Sequence, residues 1–218
     1  MTPTSNVSLR AVAVRRTGSL VLRNVDLDIG PGTAVAVFGP NGSGKTTLLR
    51  VLATLLRPSQ GHGEVLGATL GTAAVEGVRR RIGLVGHEPA LYPNLTLGEN
   101  LELAATLLGG AGRAAAADVL DRVGLAAAAD RRASRSSNGM RRRVEFARMM
   151  LIRPDLLLLD EAHVGLDPAA WRLVGHLVDD VTARNGSALI VAHEQDRVRP
   201  LVTRAVELVD GTVREVVA

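Results

Sequence analysis

The sequence predicts an α/β protein built on a parallel sheet, and three observations lead to this class. Two short segments, Val35-Ala36-Val37-Phe38 and Leu156-Leu157-Leu158-Leu159, are continuously apolar, as are strands buried on both faces of a parallel sheet. A glycine-rich loop and an apolar, helix-like stretch at 48–53 follow the first of them. Segments with helical character lie between the two strands, and this alternation is typical of α/β folds.

Length and composition fit one globular domain. The chain has 218 residues, of which 46% are hydrophobic and 2% aromatic, so we expect a core of alanine, valine and leucine. We assign 1–218 to a single domain, with a helical subdomain at about 95–150 inserted in its core. No stretch approaches the roughly 20 apolar residues of a membrane span, so we expect a chain that is soluble by itself. The absence of cysteine excludes disulfides and thiolate metal sites.

The positive charge alone is a weak argument for a nucleic-acid partner. The formal net charge is +4, and arginines cluster at 79–81, 131–132 and 141–143. Sites for single-stranded nucleic acid add aromatic side chains that stack on bases, and this sequence has one Trp, one Tyr and two Phe. We therefore expect no nucleic-acid partner and interpret the clusters as charged surface.

The first third of the chain is mostly β-structure. Partly alternating, β-branched segments predict strands at 7–14 and 20–29, and Thr17-Gly18-Ser19 between them predicts a hairpin. A further short strand is expected within 61–67, where glycines bound the segment. These strands predict an antiparallel β subdomain beside the parallel sheet.

The middle of the chain predicts helices. Thr96 and Glu99 form a capping pair before an apolar run that reaches residue 108. Two more helices are expected at 113–123 and at about 140–152, and the alanine-rich tract that follows Gly124 has high helix propensity. We therefore expect that tract to be a helical part of the subdomain.

The last third returns to the α/β pattern. A helix is expected after Asp167-Pro168, followed by a strand at 188–191. Asp210-Gly211 predicts the turn of a final hairpin.

The stretch Gly39-Pro40-Asn41-Gly42-Ser43-Gly44-Lys45-Thr46-Thr47 fits the template Gly, four residues, Gly-Lys-Ser/Thr of a phosphate-binding loop. Glycines allow consecutive backbone N–H groups to turn toward phosphate oxygens, and a helix start adds its positive dipole end. The template assigns the phosphates to Lys45 and Mg²⁺ to the Thr46 hydroxyl. A chance glycine-rich turn is the alternative, and the strand-loop-helix context argues against it.

Lys45 also stands out in the composition, because it is the only lysine among 26 Lys and Arg residues. A compact ammonium fits between phosphate oxygens, whereas a planar guanidinium suits a two-point contact. The loop therefore predicts a nucleotide with Mg²⁺ as the ligand.

Asp160 and Glu161 follow the second buried strand and predict the other half of the site. A carboxylate at the carboxyl end of a parallel strand is placed to hold Mg²⁺ through its hydration shell, which is the role we assign to Asp160. Glu161 is placed to orient and polarise the attacking water as the catalytic residue. By itself this pattern fits a core strand with a solvated end equally well, and the phosphate loop decides between the two.

Together these motifs resemble the ATP-binding cassette (ABC) family of ATPases, over about 7–211. The resemblance implies a P-loop NTPase core of the RecA-like type, with a flanking antiparallel β subdomain and an α-helical subdomain. It also implies that two subunits close around two ATP molecules and separate after hydrolysis.

The resemblance assigns Ser137-Asn138-Gly139-Met140 to the signature segment, which grips the γ-phosphate of ATP bound to a second subunit. The usual form is Leu-Ser-Gly-Gly-Gln, so Ser137 and Gly139 match while Ser136, Asn138 and Met140 do not. A serine and a glycine at a helix start make an anion site. An ordinary helix N-cap is the alternative interpretation.

Four further positions take roles from the resemblance alone. Gly165-Leu166-Asp167 resembles the loop that crosses between subunits, and His193 resembles the switch histidine that contacts the γ-phosphate. His87 occupies the position of a glutamine that contacts Mg²⁺ and links to the membrane partner. The aromatic that stacks on adenine is missing near Arg16, and the Arg16 side chain is the candidate replacement.

The Gly86-His87 pair and the Ser-x-Gly-Met signature resemble the ATP-binding subunit of the haem exporter of cytochrome c maturation. The resemblance implies a homodimer or heterodimer of ATPase subunits, cytoplasmic and peripheral on the inner face of the cell membrane. It would drive an integral membrane permease subunit docked around 87–92. The alternatives are an ABC-2 type exporter ATPase for another substrate, and a non-transport ABC ATPase acting on a soluble or cell-division assembly. A phosphate-loop kinase leaves the signature segment and His193 without a purpose.

Overall fold

The computed structural model describes residues 5–109, 112–161 and 166–216. The strands are β1 (Val7–Arg16), β2 (Ser19–Ile29), β3 (Ala34–Phe38), β4 (Gln60–Val65), β5 (Ala68–Thr69), β6 (Ile82–Val85), β7 (Leu156–Asp160), β8 (Ser187–Val191), β9 (Arg204–Val209) and β10 (Thr212–Glu215). The helices are α1 (Lys45–Leu52), α2 (Val75–Val78), α3 (Leu97–Leu107), α4 (Gly112–Arg122), α5 (Asn138–Ile152), α6 (Pro168–Ala183) and α7 (Gln195–Val198). Within the described ranges, none of these helices has the length and apolar character needed to cross a membrane.

The first of two compact units contains both sheets. It comprises the described residues of Met1–Leu84, Pro154–Glu161 and Val178–Ala218. One sheet is antiparallel with the order β2-β1-β4-β5, and the other has the order β10-β9-β3-β8-β7-β6. In the second sheet β3 is parallel to both β8 and β9, and β7 is parallel to β8. The predicted fold class, a parallel sheet with a flanking antiparallel β subdomain and helical parts, is confirmed.

Strands β3, β7 and β8 position the chemistry of this unit. Every residue of the three strands is buried, which is why their sequences, apart from Ser187 and Asp160 at strand ends, are apolar without alternation. Because the strands are parallel neighbours, their carboxyl ends lie at one edge of the sheet. The chain leaves this edge through the phosphate loop, Glu161 and Ala192, respectively.

Two tight hairpin turns complete the unit and confirm both predicted hairpins. Thr17 and Gly18 have φ of 46° and 84°, and Asp210 and Gly211 have φ of 49° and 78°. Positive φ at both central residues is the requirement of the two-residue turn that matches strand twist. The backbone N–H of Arg23 in β2 donates to the Gly211 carbonyl at 2.8 Å, so the second turn is fixed against the antiparallel sheet.

The second unit is helical and comprises the described residues of Val85–Arg153 and Ala162–Leu177. The Thr96 hydroxyl accepts from the Glu99 N–H at 3.1 Å and the Glu99 carboxylate accepts from the Thr96 N–H at 2.7 Å, which confirms the predicted capping box. Its core is aliphatic and is formed by Leu97, Leu101, Ala116, Val119, Leu120, Val123, Leu125, Ala133, Val144 and Ala147. The single-domain organisation of 1–218 stays a prediction.

The alanine-rich tract is less helical than its propensity predicted. Only Ala126–Ala128 is helical there, as one 3₁₀ turn. The carbonyls of Ala129 and Arg131 accept, at 2.9 Å, from the N–H groups of Gly98 and Leu97 in the first turn of α3. Since the first turn of a helix has free N–H groups, these carbonyls satisfy α3 and the tract does not continue as an α-helix of its own.

Candidate functional site

The predicted phosphate loop connects β3 to α1 in the first unit, and Lys45 is the first residue of the helix. The Lys45 side chain is folded onto its own loop, with only 5% of the residue exposed. Its Nζ donates to the carbonyl oxygens of Gly39 and Pro40 at 2.8 and 2.9 Å. The amine is therefore held at the centre of the loop by backbone contacts that an anion can replace.

The loop is closely packed where glycine occurs. Gly39 has φ of 141°, and a Cβ there would collide with the backbone carbonyl of Leu208 in β9. A Cβ on Gly44 would lie 2.9 Å from the Cδ2 atom of Leu22. Gly42 also has a positive φ, of 80°, but a Cβ on it would meet nothing within 4 Å. Gly39 and Gly44 thus allow neighbouring strands to approach the loop, whereas Gly42 serves the turn alone.

Two polar features of the loop fit a phosphate ligand. The Ser43 hydroxyl is buried, and the described part of the chain offers it no hydrogen-bond partner. No described side chain caps α1, so the N–H groups of its first turn are not taken by a capping oxygen. Buried polar groups are normally hydrogen-bonded, and a phosphate oxygen has the acceptor chemistry that both features require.

Lys45 lies in the electrostatic field of the two predicted carboxylates. Burial lowers the pKa of Lys45 from its ordinary value of 10.5, while Glu161 and then Asp160 act in the opposite direction. Asp160 is the last residue of β7 and is buried. The structure therefore brings the predicted Lys45, Asp160 and Glu161 to one edge of the sheet.

Glu161 adopts an unusual backbone conformation. Its φ is 51°, in the left-handed region that β-strand ends rarely use for residues other than glycine. Its N–H donates to the Val191 carbonyl of β8 at 3.1 Å, so the bend occurs while the backbone is still bound to the sheet. Such strain is found at active sites when the surrounding structure holds it. Here the left-handed conformation changes the direction of the Glu161 side chain immediately after a buried strand.

The bend brings Glu161 to His193, the second residue predicted to be catalytic. The Nε2 atom of His193 lies 2.6 Å from Oε1 of Glu161. His193 follows β8 by two residues, and its side chain is more exposed than that of Glu161. The two side chains form a direct contact pair that can pass a proton between a carboxylate and an imidazole.

The remaining predicted positions of this unit lie nearer the surface. Thr46 is exposed at the start of α1, whereas Thr47 is buried. Arg16 is exposed at the end of β1, where it pairs with Ser19 across the hairpin. A cavity of about 490 Å³ lies beside the phosphate loop. Its lining combines strand β2, the loop and the second hairpin turn, and includes Leu20, Val21, Pro40, Asn41, Asp210 and Gly211.

In the second unit, the predicted signature segment forms the start of α5. Ser137 is the N-cap, and its hydroxyl accepts from the Met140 N–H at 3.2 Å. Asn138, Gly139 and Met140 form the first turn. The helix cap is thus present, as the alternative interpretation of the segment expected, and the anion-binding role of the segment stays a prediction.

Asp167, predicted to lie in the dimer loop, also begins a helix of the second unit. Its carboxylate accepts from the Ala170 N–H at 2.7 Å and from the guanidinium of Arg143. These two contacts, the backbone N–H first, hold the pKa of Asp167 below its ordinary value of 3.8. Gly165, the first residue of that loop, lies outside the described residues.

One part of the basic cluster at 141–143 is not charged surface, so this interpretation is corrected. Arg142 is 3% exposed and lies 2.7 Å from the carboxylate of Glu145, which is fully buried. The same guanidinium donates to the backbone carbonyls of Gly86 and His87, at 2.7 and 2.5 Å. The sequence signal was the i, i+3 spacing of an arginine and a glutamate on one helix, which the run of three arginines concealed.

Several known proteins are similar to this chain in sequence. The sequence profile of the ABC transporter family matches residues 22–164. The chain is 35% identical to the daunorubicin/doxorubicin resistance ATP-binding protein DrrA of Streptomyces peucetius, over 97% of this chain and 64% of DrrA. It is 37% identical to the phosphonates import ATP-binding protein PhnC 1 of Rhodopseudomonas palustris, over 94% of this chain and 82% of that protein.

A solved structure shows the same fold. A dimeric ATP-binding cassette in a post-hydrolysis state, bound to ADP and Pi, matches with a TM-score of 0.85 and 26% identity. The match covers 97% of this chain and 99% of that chain. The chain thus spans 64% of the length of DrrA but nearly all of an isolated cassette.

Proposed function

Since this chain belongs to the ABC transporter family, we propose that it is the ATP-binding and ATP-hydrolysing subunit of a transporter whose membrane-spanning part is a separate subunit. The observation that carries the proposal is the phosphate loop around Lys45, at the same sheet edge as the Glu161 and His193 pair. The chain is an ATPase, and its family uses that activity for transport.

The residues of the loop fit the phosphates of ATP. Lys45 exchanges its contacts with the Gly39 and Pro40 carbonyls for phosphate oxygens, which restores in full the positive charge that burial disfavours. The Ser43 hydroxyl gains the partner that it otherwise lacks among the described residues. The adenine lies toward Arg16, whose guanidinium can stack on the base in place of an aromatic ring.

Mg²⁺ fits the oxygen atoms of Thr46 and Asp160, with His87 as a further candidate from the sequence. Within the described residues, no group of three or more His, Asp or Glu side chains is arranged to hold a metal by itself. That is the expected situation for an ion that keeps several waters and is bound mainly through ATP phosphates. When bound, the ion neutralises charge on the transferred phosphoryl group.

Glu161 and His193 perform the hydrolytic step. Glu161 orients the attacking water and accepts its proton as a general base, and His193 donates a hydrogen bond to the γ-phosphate oxygens. The signature segment at Ser137–Met140 and the loop at Asp167 act on the ATP of a second subunit. The likeness to a dimeric cassette bound to ADP and Pi supports a dimer, either of this chain or with a related ATPase.

An apolar surface of the second unit is the proposed contact with the membrane permease subunit. Tyr92 and Leu107 are 63% and 71% exposed, and Leu108 is exposed beside them. They border a cavity of about 290 Å³ whose apolar lining also includes Leu91, Leu103 and Ile152. Buried Asn100 fixes this surface by accepting from the Tyr92 N–H at 2.8 Å. Exposed apolar patches of this kind mark interaction sites, and docking here holds the ATPase at the inner face of the membrane.

For the substrate we favour export of an organic molecule. The likeness to a daunorubicin/doxorubicin resistance protein supports an ABC-2 type exporter for a substrate other than haem, whereas the likeness to a phosphonates import protein supports the opposite direction of transport. Haem export for cytochrome c biogenesis is the more specific hypothesis and rests on the Gly86-His87 pair and the Ser137-x-Gly139-Met140 pattern alone.

Recovery of the native complex tests the transporter assignment. The tagged chain would be extracted from its own cells in mild detergent with ATP and vanadate, and co-purifying proteins would be identified by mass spectrometry. A multi-span membrane protein is the expected partner, and cytochrome c maturation factors beside it would favour haem export. Recovery of soluble partners alone would contradict transport and favour an ABC ATPase that acts on a soluble or cell-division assembly.

Matched variants locate the contact. Tyr92→Ser with Leu107→Ser removes the two most exposed apolar side chains of the patch and is expected to lose the membrane protein. Leu55→Ser is the control, because Leu55 is 64% exposed in the first unit and does not belong to the patch. Equal recovery with both variants would place the permease contact elsewhere.

A further inference from the structure

A buried ion pair in the second unit connects α5 to the segment 86–90. Arg142 donates to the Glu145 carboxylate and to the carbonyls of Gly86 and His87. The other carboxylate oxygen of Glu145 accepts from the backbone N–H of Ala90 at 3.0 Å. Three backbone groups of one short segment are therefore bound by these two side chains of α5. Arg148 of the same helix adds weaker contacts, at 3.5 Å with the Glu145 carboxylate and at 3.4 Å with the Ala90 carbonyl.

Both members of the pair are buried. Glu145 is fully buried, and burial raises its pKa against the opposing effects of the Ala90 N–H and of Arg142. The Nε atoms of Arg142 and Arg148 are buried, and the described residues give neither of them a partner. Replacing a buried ion pair with apolar side chains is often neutral or stabilising. The stability of α5 therefore does not explain why the pair is present. Apolar side chains could not make the hydrogen bonds that the pair makes with segment 86–90, and these hydrogen bonds are the feature that distinguishes it.

The helix that carries the pair also carries the signature segment. Ser137 caps α5, and Arg142 follows it by five residues, or about 7.5 Å along the helix axis. Segment 86–90 leads directly into Leu91 and Tyr92 of the apolar patch. Both ends of the connection thus reach surfaces with an assigned role.

We propose that Arg142 and Glu145 are positioning residues that lock segment 86–90 to α5. A membrane partner that displaces this segment therefore moves the signature segment, and a movement of the signature segment displaces segment 86–90. The connection is reciprocal because it is a coupling between two sites, so ATP bound at the signature segment must change segment 86–90. This inference rests on the proposed function for the identity of the two ligands, while the lock itself is a property of the chain alone.

Hydrogen exchange of the full chain tests the inference. The variant Arg142→Met with Glu145→Leu replaces the pair by apolar side chains, and Arg122→Met, an exposed arginine on α4, is the control. Mass spectrometry would follow amides 86–91 and 137–140 with and without ATP, in a Glu161→Gln background that retains the nucleotide. Glu145→Gln, which keeps an acceptor for the Ala90 N–H, is the second variant if the double replacement fails to fold.

We expect the double variant to raise exchange at Ala90 about tenfold, the effect of losing one hydrogen bond to a charged group. It should also abolish the ATP-dependent change at 86–91 while that at 137–140 persists. Exchange at Ala90 within about twofold of the control, or an ATP-dependent change at 86–91 that survives, would overturn the proposal. If ATP changes nothing even with the native pair, the proposed function fails, and the Ala90 comparison without ATP still decides whether the lock exists.

Discussion

The Nε2 atom of His193 lies 2.6 Å from the carboxylate of Glu161, and this contact joins the ends of two neighbouring parallel strands. Glu161 reaches it through a left-handed backbone conformation, with φ of 51°. The two side chains therefore fix each other's position at the carboxyl edge of the sheet.

The contact predicts that the two residues act as a unit in hydrolysis. Glu161→Gln and His193→Gln should each lower kcat by about 10²- to 10⁴-fold, the usual contribution of acid–base groups. The double variant should lower kcat no further than the worse single variant, because effects within one unit are not additive. The rate of phosphate release from ATP gives kcat for the native chain, the two single variants and the double variant.

A second histidine and glutamate supply its control. His62 and Glu64 lie 3.6 Å apart, exposed on β4 of the antiparallel sheet. His62→Gln and Glu64→Gln should leave kcat unchanged. Additive losses at Glu161 and His193, or equal losses at the control pair, would rule out the paired role.

The buried amine of Lys45 predicts a pH dependence of ATP affinity, and the resonance of a single carbon atom can report the titration. Burial lowers its pKa, so the free protein loses this charge at a pH below 10.5, and ATP affinity should fall as pH rises through that lowered pKa. Bound phosphate should raise the pKa again, so that ATP binding takes up protons in this range. Since Lys45 is the only lysine, ¹³C-lysine labelling gives a single Cε resonance whose titration reports both values.

The urea-unfolded chain is the reference for that titration, because its lysine has the ordinary pKa. A folded-state midpoint at or above the unfolded one, or a midpoint that ATP leaves unchanged, would contradict the interpretation of the loop. Lys45→Arg should bind ATP more weakly, because a planar guanidinium fits the loop less well, and its residual affinity should show no alkaline loss, because a guanidinium remains charged.

The two glycines of the loop predict different costs. Gly42→Ala should lower the free energy of unfolding by about 1 kcal/mol, since its Cβ meets open space and only the positive φ is unfavourable. Gly39→Ala should cost roughly 1 to 3 kcal/mol more, because its Cβ collides with the Leu208 carbonyl and the backbone must move. Urea unfolding of both variants measures the difference, and equal costs would contradict the close approach of β9 to the loop.

Two helix caps of the second unit separate a structural role from a catalytic one. Ser137→Ala and Thr96→Ala each remove an N-cap hydrogen bond, and each should lower stability by about 1 kcal/mol. Only Ser137→Ala should also lower kcat, since Ser137 is proposed to contact ATP of a second subunit. Thermal unfolding with phosphate-release assays compares the variants, and an equal kcat for both would leave Ser137 as a cap alone.

Most of the fold could be predicted because its strongest signals are local. The continuous apolar runs of β3 and β7, the Thr96 and Glu99 capping box, and the Asp210-Gly211 turn each specify one backbone conformation. Strand β6 was not predicted, because its four residues give too short an apolar run to distinguish a strand from a loop. The alanine tract was misread because helix propensity does not register the hydrogen bonds that α3 makes with its carbonyls.

The site was predictable at the level of motifs but not of contacts. The phosphate loop and the Asp160-Glu161 pair follow from residue types at fixed spacing. The buried pair of Arg142 and Glu145 depends on which face of α5 meets segment 86–90, and charge patterning alone suggests a solvated surface. The bend at Glu161 is equally hidden, because it depends on a hydrogen bond to Val191, thirty residues further along the chain.

The rate of phosphate release from ATP, measured against the concentration of the purified chain, tests the central claim most directly. Two subunits must meet to complete each site, so turnover per chain should rise with protein concentration and then level off. Lys45→Ala should release no phosphate above background. Turnover per chain that is constant across the concentrations at which light scattering shows monomers, or release that Lys45→Ala matches, would contradict the account.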